Sequence, residues 1–127
     1  MIVDRTGVGR PVCDLLKQSG VSHKAVTITA GIKETLGSGG FNVPKQNLIS
    51  NLQVALSTGR LQIAKGLELG ETLREELYNF GLKVNVATTN ISYEAWREGE
   101  HDDLVLAAAL AAWGTDRKRR GGRVFAR

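Results

Sequence analysis

IVDRTGVGRPVCDLL, residues 2–16, predicts a short buried strand, a tight turn and a helix, in that order. Two apolar residues lead to Asp4, and the segment from Thr6 to Gly9 has the composition of a turn. Pro11 suits the first turn of a helix, where a missing N–H breaks no hydrogen bond. The apolar residues after it recur at helical spacing up to Gly20. This strand–turn–helix unit is the expected start of an α/β fold.

The rest of the sequence continues to alternate between strand and helix patterns. The predicted strands are Lys24–Ala30, a short one around Leu61 and Ile63, and Lys83–Ala87. The predicted helices run from Pro44 to Gly59, from Leu69 to Phe80 with Gly81 closing it, and from Asp103 to Trp113. A glycine-rich loop is expected from Gly31 to Gly40. Alternation of this kind is typical of an α/β domain with some parallel strand pairing.

The composition suits one globular domain, since the chain has 127 residues, of which 42% are hydrophobic and 24% charged. No apolar run approaches the roughly 18 to 20 residues that a membrane span needs, so a cytosolic protein is expected. Cys13 has no second cysteine to pair with and lies in the apolar segment VCDLL. We therefore expect a packed, unreactive thiol in a reducing compartment.

Positive charge is concentrated at the C-terminal end of the chain. The formal net charge is +4, but residues 114–127 alone contain six Lys or Arg against one Asp. We expect a flexible basic tail over these residues, with side chains that could bind nucleic-acid phosphates. The candidates are Arg117, Lys118, Arg119, Arg120 and Arg123. A solvated tail without a specific partner is the alternative.

Two groups of acids are candidate metal ligands. Asp4 ends the first predicted strand, and His101, Asp102 and Asp103 precede the apolar C-terminal helix. In an α/β sheet, strand ends and helix starts meet at one edge, where their carboxylates could hold Mg²⁺ or Mn²⁺. A single Asp at a helix start is often only an N-cap, but two adjacent carboxylates exceed that need. His101 could be a ligand or only a hydrogen-bonding neighbour.

The glycines beside Asp4 do not predict a nucleotide site. The dinucleotide fingerprint requires a third glycine where Val12 stands, and a Walker motif is absent as well. Gly7 and Gly9 are instead expected to form a sharp turn that brings Asp4 close to the helix that follows.

Four segments, taken in order, resemble the nuclease domain of phage large terminases. They are DRTGVGRPV at residues 4–12, NVPK at 42–45, GRLQI at 59–63 and REGEHDDLVLA at 97–107. The resemblance covers residues 1–113 and implies a ribonuclease H-like three-layer fold. It also implies Mg²⁺- or Mn²⁺-dependent cleavage of double-stranded viral DNA during packaging. By this resemblance Asp4 is the second catalytic carboxylate, and Asp103, in preference to Asp102, is the third.

The sequence departs from the family because the first acidic strand and the ATPase motor are not matched. We therefore expect an incomplete fold, from a prophage remnant, a split gene product or an expressed fragment, with weak cleavage or none. The expected partners are double-stranded DNA and a terminase small subunit or portal protein, in the cytoplasm of a bacterial host. An exposed sheet edge would favour homo-oligomers. The alternative is a non-catalytic nucleic-acid-binding or assembly module that uses the basic tail.

Overall fold

The computed structural model of the protein describes residues 1–86 and 103–122. Four strands and four helices lie in this part of the chain. They are β1 (Ile2–Asp4), α1 (Gly9–Gln18), β2 (Lys24–Thr29), β3 (Thr35–Gly37), β4 (Gly40–Pro44), α2 (Lys45–Ser57), α3 (Gly70–Val86) and α4 (Asp103–Gly122). None of these helices combines the length and the apolar character that a membrane crossing requires.

The four strands form one mixed sheet in the order β1-β2-β4-β3. β1 pairs in parallel with β2, and β2 in parallel with β4. β3 pairs with β4 in the antiparallel direction, as the first arm of a tight hairpin. The predicted α/β class with parallel pairing is therefore confirmed.

One face of the sheet holds the core. Asp4 pairs with Val26, and Val26 pairs with Phe41, so these three residues lie on one row and share a face. Val26 and Val43 are fully buried on this face. The helices that cover it are α2 and α4, which contribute Leu48, Leu52, Val105, Ala109, Leu110 and Trp113 to the same cluster. Asp4 thus stands at the margin of the core and is only half-buried.

Among the described strands, β1 forms an edge of the sheet. Its hydrogen bonds to β2 alternate: the Lys24 N–H donates to Met1 O at 3.0 Å, and the Arg5 N–H donates to Val26 O at 2.7 Å. Backbone groups of successive strand residues point to opposite sides, so those of Ile2 and Asp4 point away from β2. Such outward groups can pair with another strand.

Helix α1 buries only part of its apolar surface. Cys13 is buried and unpaired, as predicted. Val8, Val12 and Leu15 remain 90%, 48% and 62% exposed. These three residues are four and three positions apart, so they form one stripe along the helix. The stripe and the outward groups of β1 are both left uncovered by the described residues.

Two predicted strands are wrong. Residues 61–64 form no strand, because Leu61 follows the end of α2 and donates its N–H to Ala55 O at 2.9 Å. The predicted strand Lys83–Ala87 is a helix up to Val86, and Ala87 lies outside the described residues. Helix α3 passes through Gly81, a residue that costs about 1 kcal/mol relative to alanine inside a helix without necessarily ending it.

Two other boundaries also differ from the prediction. The glycine-rich loop Gly31–Gly40 contains β3 and the hairpin turn, where Gly40 has a φ of 117° that favours glycine. The last helix ends at Gly122 instead of Trp113, so residues 114–122, which the sequence assigns to a flexible tail, belong to α4. Gly114 does not end the helix because it packs closely against Ile2, where a Cβ would collide with the Cδ1 atom of that side chain.

Candidate metal site and basic helix end

A turn fixes the carboxylate of Asp4 at the end of β1. Its Oδ1 accepts a hydrogen bond from the Thr6 N–H at 2.8 Å, which is an Asx-type turn. The hydroxyl oxygen of Thr6 accepts the N–H of Ile28 at 2.9 Å, so the turn is also tied to β2. Within the described residues, no hydrogen bond or ion pair reaches the second oxygen of Asp4. Oδ1 of Asp4 therefore has a structural role, and the other carboxylate oxygen has no partner among the described residues.

The turn after Asp4 depends on glycine at two positions. Gly7 has a φ of 57°, in the left-handed region. Gly9 begins α1, and a Cβ at this position would collide with the carbonyl oxygen of Asp4. These contacts agree with the predicted role of the glycines, which is to bring the start of α1 close to Asp4.

The start of α4 is capped by an acid that the sequence did not single out. Glu76 on α3 accepts the N–H groups of Leu104 and Val105 through one oxygen, at 3.0 Å and 3.2 Å. A carboxylate on these N–H groups also opposes the positive end of the helix dipole. Asp103, the first residue of α4, is exposed and makes no hydrogen bond or ion pair to the rest of the described chain. Asp103 is therefore not needed as the cap.

The contact between α4 and β1 lies at different lengths along these two elements from the two predicted ligands. Gly114 lies against Ile2, and a helix rise of 1.5 Å per residue places Asp103 about 16 Å along α4 from that contact. Asp4 is only about 7 Å along β1 from Ile2, and it lies in the sheet layer beneath the helix.

The described residues contain no group of three His, Cys, Asp or Glu side chains that could hold a metal ion. Asp4, Glu76 and Asp103 therefore do not converge. Asp102 and His101 lie outside the described residues. The shared metal site stays a prediction. Among the predicted ligands, Asp4 is the one whose carboxylate is held by a described hydrogen bond.

The basic end of α4 is fastened to the sheet through Arg117. Its guanidinium pairs with Glu34, which precedes β3, and lies 4.5 Å from the ring centroid of Phe41 and 5.4 Å from that of Trp113. The Trp113 indole N–H donates to the second oxygen of Glu34 at 3.2 Å. The Phe41 and Trp113 rings meet edge to face, with centroids 5.4 Å apart. We call Glu34, Phe41, Trp113 and Arg117 the anchor cluster.

The structure describes the other predicted phosphate ligands to different extents. Lys118 and Arg119 are exposed on α4, and neither forms an ion pair with another described residue. Arg120 lies within α4, and Arg123 falls outside the described range. The sequence could not distinguish Arg117 from its neighbours, because Glu34 and Phe41 are remote from it along the chain.

Comparisons with protein-family models, curated proteins and solved structures found no match to this chain. The resemblance to the terminase nuclease domain therefore depends on the four quoted segments alone. In the structure, the first segment forms the strand–turn–helix unit around Asp4, and α4 begins at Asp103 within the last segment.

Proposed function

We propose that the protein is part of a DNA-packaging nuclease of the large-terminase type, with Asp4 as one ligand of a catalytic Mg²⁺ or Mn²⁺. The observation that carries the proposal is the Asp4 turn. One carboxylate oxygen is held by the Thr6 N–H at 2.8 Å, and the other is left without a described partner. Its substrate would be double-stranded DNA, in the cytoplasm of a bacterial host.

Asp4 has the chemistry that a hard divalent cation requires. Mg²⁺ and Mn²⁺ prefer carboxylate oxygens and keep several water molecules as further ligands. A side chain already ordered by a turn loses little conformational freedom when it binds an ion. The half-buried position of Asp4 also reduces competition from bulk solvent without the full cost of burying a charge.

The described residues do not complete a two-metal site. Two ions about 3.5 to 4 Å apart need several carboxylates between them, and Asp4 and Asp103 are not gathered with a third ligand. The proposal therefore assigns further ligands to Asp102 or to a carboxylate supplied by another strand. We expect the isolated chain to bind metal weakly and to cleave DNA negligibly.

The free edge of β1 is compatible with such an added strand, because the backbone groups of Ile2 and Asp4 point away from β2. A strand paired there would bring its side chains next to Asp4. The same edge could bind a second copy of the chain. A ribonuclease H-like arrangement, with a terminase small subunit or portal protein as partner, belongs to the same proposal.

The second candidate is a non-catalytic module that binds nucleic acid or another subunit. It is favoured by Lys118 and Arg119, which are exposed and without a described ion-pair partner at the end of α4. The acids would then serve local structure alone. Asp4 would be the acceptor of its turn and nothing more.

Mn²⁺ binding separates the two candidates. The Mn²⁺ that remains free would be measured by electron paramagnetic resonance with the unchanged protein, Asp4→Asn and Asp103→Asn. Asp14→Asn, which removes one exposed carboxylate from α1, is the matched control. We expect Asp4→Asn to weaken binding and the control to leave it unchanged. Equal affinities for the unchanged protein, Asp4→Asn and the control would refute the metal role of Asp4.

A further inference from the structure

We propose that the last turns of α4 form a rigid phosphate-binding element for duplex DNA. Lys118 and Arg119 contact the phosphates, whereas Arg117 is a positioning residue that holds the helix end against the β3–β4 hairpin. The inference takes its ligand, duplex DNA, from the proposed function. It does not require a metal ion or cleavage.

Arg117 is already engaged by three other residues of the anchor cluster. It pairs with Glu34 and stacks on Phe41 and Trp113, and 42% of its side chain is exposed. Binding to a phosphate would exchange these interactions for another ion pair, with little net gain. Arg117 is therefore better suited to hold the helix than to bind DNA.

Two further interactions fasten the same part of α4. Asp116 pairs with Arg60, just beyond the end of α2, at 3.7 Å. Gly114 packs against Ile2 on β1. Four positions between 113 and 117 are thus attached to the sheet, the hairpin and the end of α2. Lys118 and Arg119 therefore directly follow a segment of α4 that is held against the rest of the domain.

Helix geometry separates the two exposed cations from the anchor. Trp113 and Arg117 are four residues apart and share the inward face. Arg119 follows four residues after Thr115, and the side chains of Thr115, Lys118 and Arg119 are all exposed. Both cations therefore extend from the helix into solvent.

Charge complementarity identifies the ligand class as a polyanion. The negative charges of Glu34 and Asp116 are balanced by Arg117 and Arg60, which leaves Lys118 and Arg119 unbalanced among the described residues. Duplex DNA presents a phosphate charge about every 1.7 Å along its axis. Cations held on a fixed helix bind it with less loss of freedom than cations on a flexible tail.

The salt dependence of DNA affinity tests the assignment. A fluorescent duplex of random sequence would be titrated with the full chain by anisotropy, between roughly 50 and 200 mM salt. The slope of log affinity against log salt becomes shallower by about 0.9 for each phosphate that the protein no longer neutralises. Lys118→Ala/Arg119→Ala should therefore make it shallower by about 1.8. Arg10→Ala/Lys17→Ala removes the same charge from exposed positions on α1 and should leave the slope unchanged.

A charge-neutral variant tests the role of Arg117. Glu34→Gln/Arg117→Gln removes the ion pair without changing the net charge. We expect affinity to fall severalfold at every salt concentration while the slope is unchanged, because Lys118 and Arg119 still neutralise phosphates from a less ordered helix. Arg117→Lys, which keeps the charge beside Glu34, should bind DNA more tightly than the charge-neutral variant. Circular dichroism of each variant verifies that the domain is folded.

Three results would overturn the inference. The first is a Lys118→Ala/Arg119→Ala slope equal to that of the α1 control. The second is a slope that becomes shallower by about 0.9 in Glu34→Gln/Arg117→Gln, since Arg117 would then be a phosphate ligand. The third is unchanged affinity in that variant, which would remove the positioning role. Absence of Mn²⁺ binding with retained DNA binding would contradict the proposed nuclease alone.

Discussion

Glu76 on α3 caps α4, because one of its carboxylate oxygens lies 3.0 Å from the backbone nitrogen of Leu104. The same oxygen also accepts the N–H of Val105. This side chain links two helices that are separated in sequence by residues outside the described range. It satisfies donors that a helix start leaves without intrahelical partners.

Replacing Glu76 with Ala should destabilise the protein by about 1 to 2 kcal/mol, the usual effect of losing a helix cap with its charge. The free energy of unfolding would be measured by urea denaturation. Glu75→Ala, at the exposed neighbouring position, should change stability by less than about 0.5 kcal/mol. Equal destabilisation in the two variants would mean that Glu76 does not cap α4.

Replacing Gly9 with Ala should be more harmful, since the added Cβ would collide with the carbonyl oxygen of Asp4. We expect destabilisation by about 1 to 3 kcal/mol, typical of forced overpacking, together with weaker Mn²⁺ binding. Gly20→Ala is the comparison, because Gly20 has a φ of 69° but open space around it. Its strain alone should cost about 1 kcal/mol. If Gly9→Ala lowers the thermal unfolding temperature less than Gly20→Ala does, Gly9 does not lie as close to the carbonyl oxygen of Asp4 as described.

The exposed stripe on α1 should promote self-association beside the free edge of β1. Sedimentation velocity should show concentration-dependent oligomers, and Leu15→Lys should reduce them by placing a charge in the stripe. Leu36→Lys is the matched change at the opposite sheet edge, on β3, where Leu36 is also exposed. Oligomers that survive Leu15→Lys but dissociate with Leu36→Lys would assign the interface to β3.

Local sequence patterns predicted the elements that depend on local chemistry. The strand before Asp4, the glycine turn, the first helix and the buried Cys13 are all present. These features follow from apolar spacing, from proline at a helix start and from the backbone freedom of glycine. The strand Lys24–Thr29 also matches its alternating, β-branched pattern.

Features that depend on partners distant in sequence were missed. The segment from Lys83 to Val86 alternates like a strand, yet it continues α3. α4 extends past Gly114 because Ile2, Arg60 and Glu34 hold its later turns. No local pattern indicates these partners.

The residues of the candidate site likewise include some that local sequence could identify and others that it could not. Asp4 could be selected from its place at a strand end, and its turn follows from the next few residues. Glu76 as the cap of α4 and Arg117 as an anchor could not be selected, because their partners come from other elements. Whether Asp4 and Asp103 share an ion also depends on such packing, and it stays a prediction.

Plasmid nicking with Mn²⁺ tests the central claim, that Asp4 serves a metal-dependent nuclease completed by a further carboxylate. The chain alone should nick negligibly, because charge stabilisation at the transferring phosphate requires both ions of a two-metal site. Adding a segment that carries an acidic strand should restore nicking, and Asp4→Asn or Asp103→Asn should remove it again. Strong cleavage by the chain alone that survives both substitutions would contradict the account.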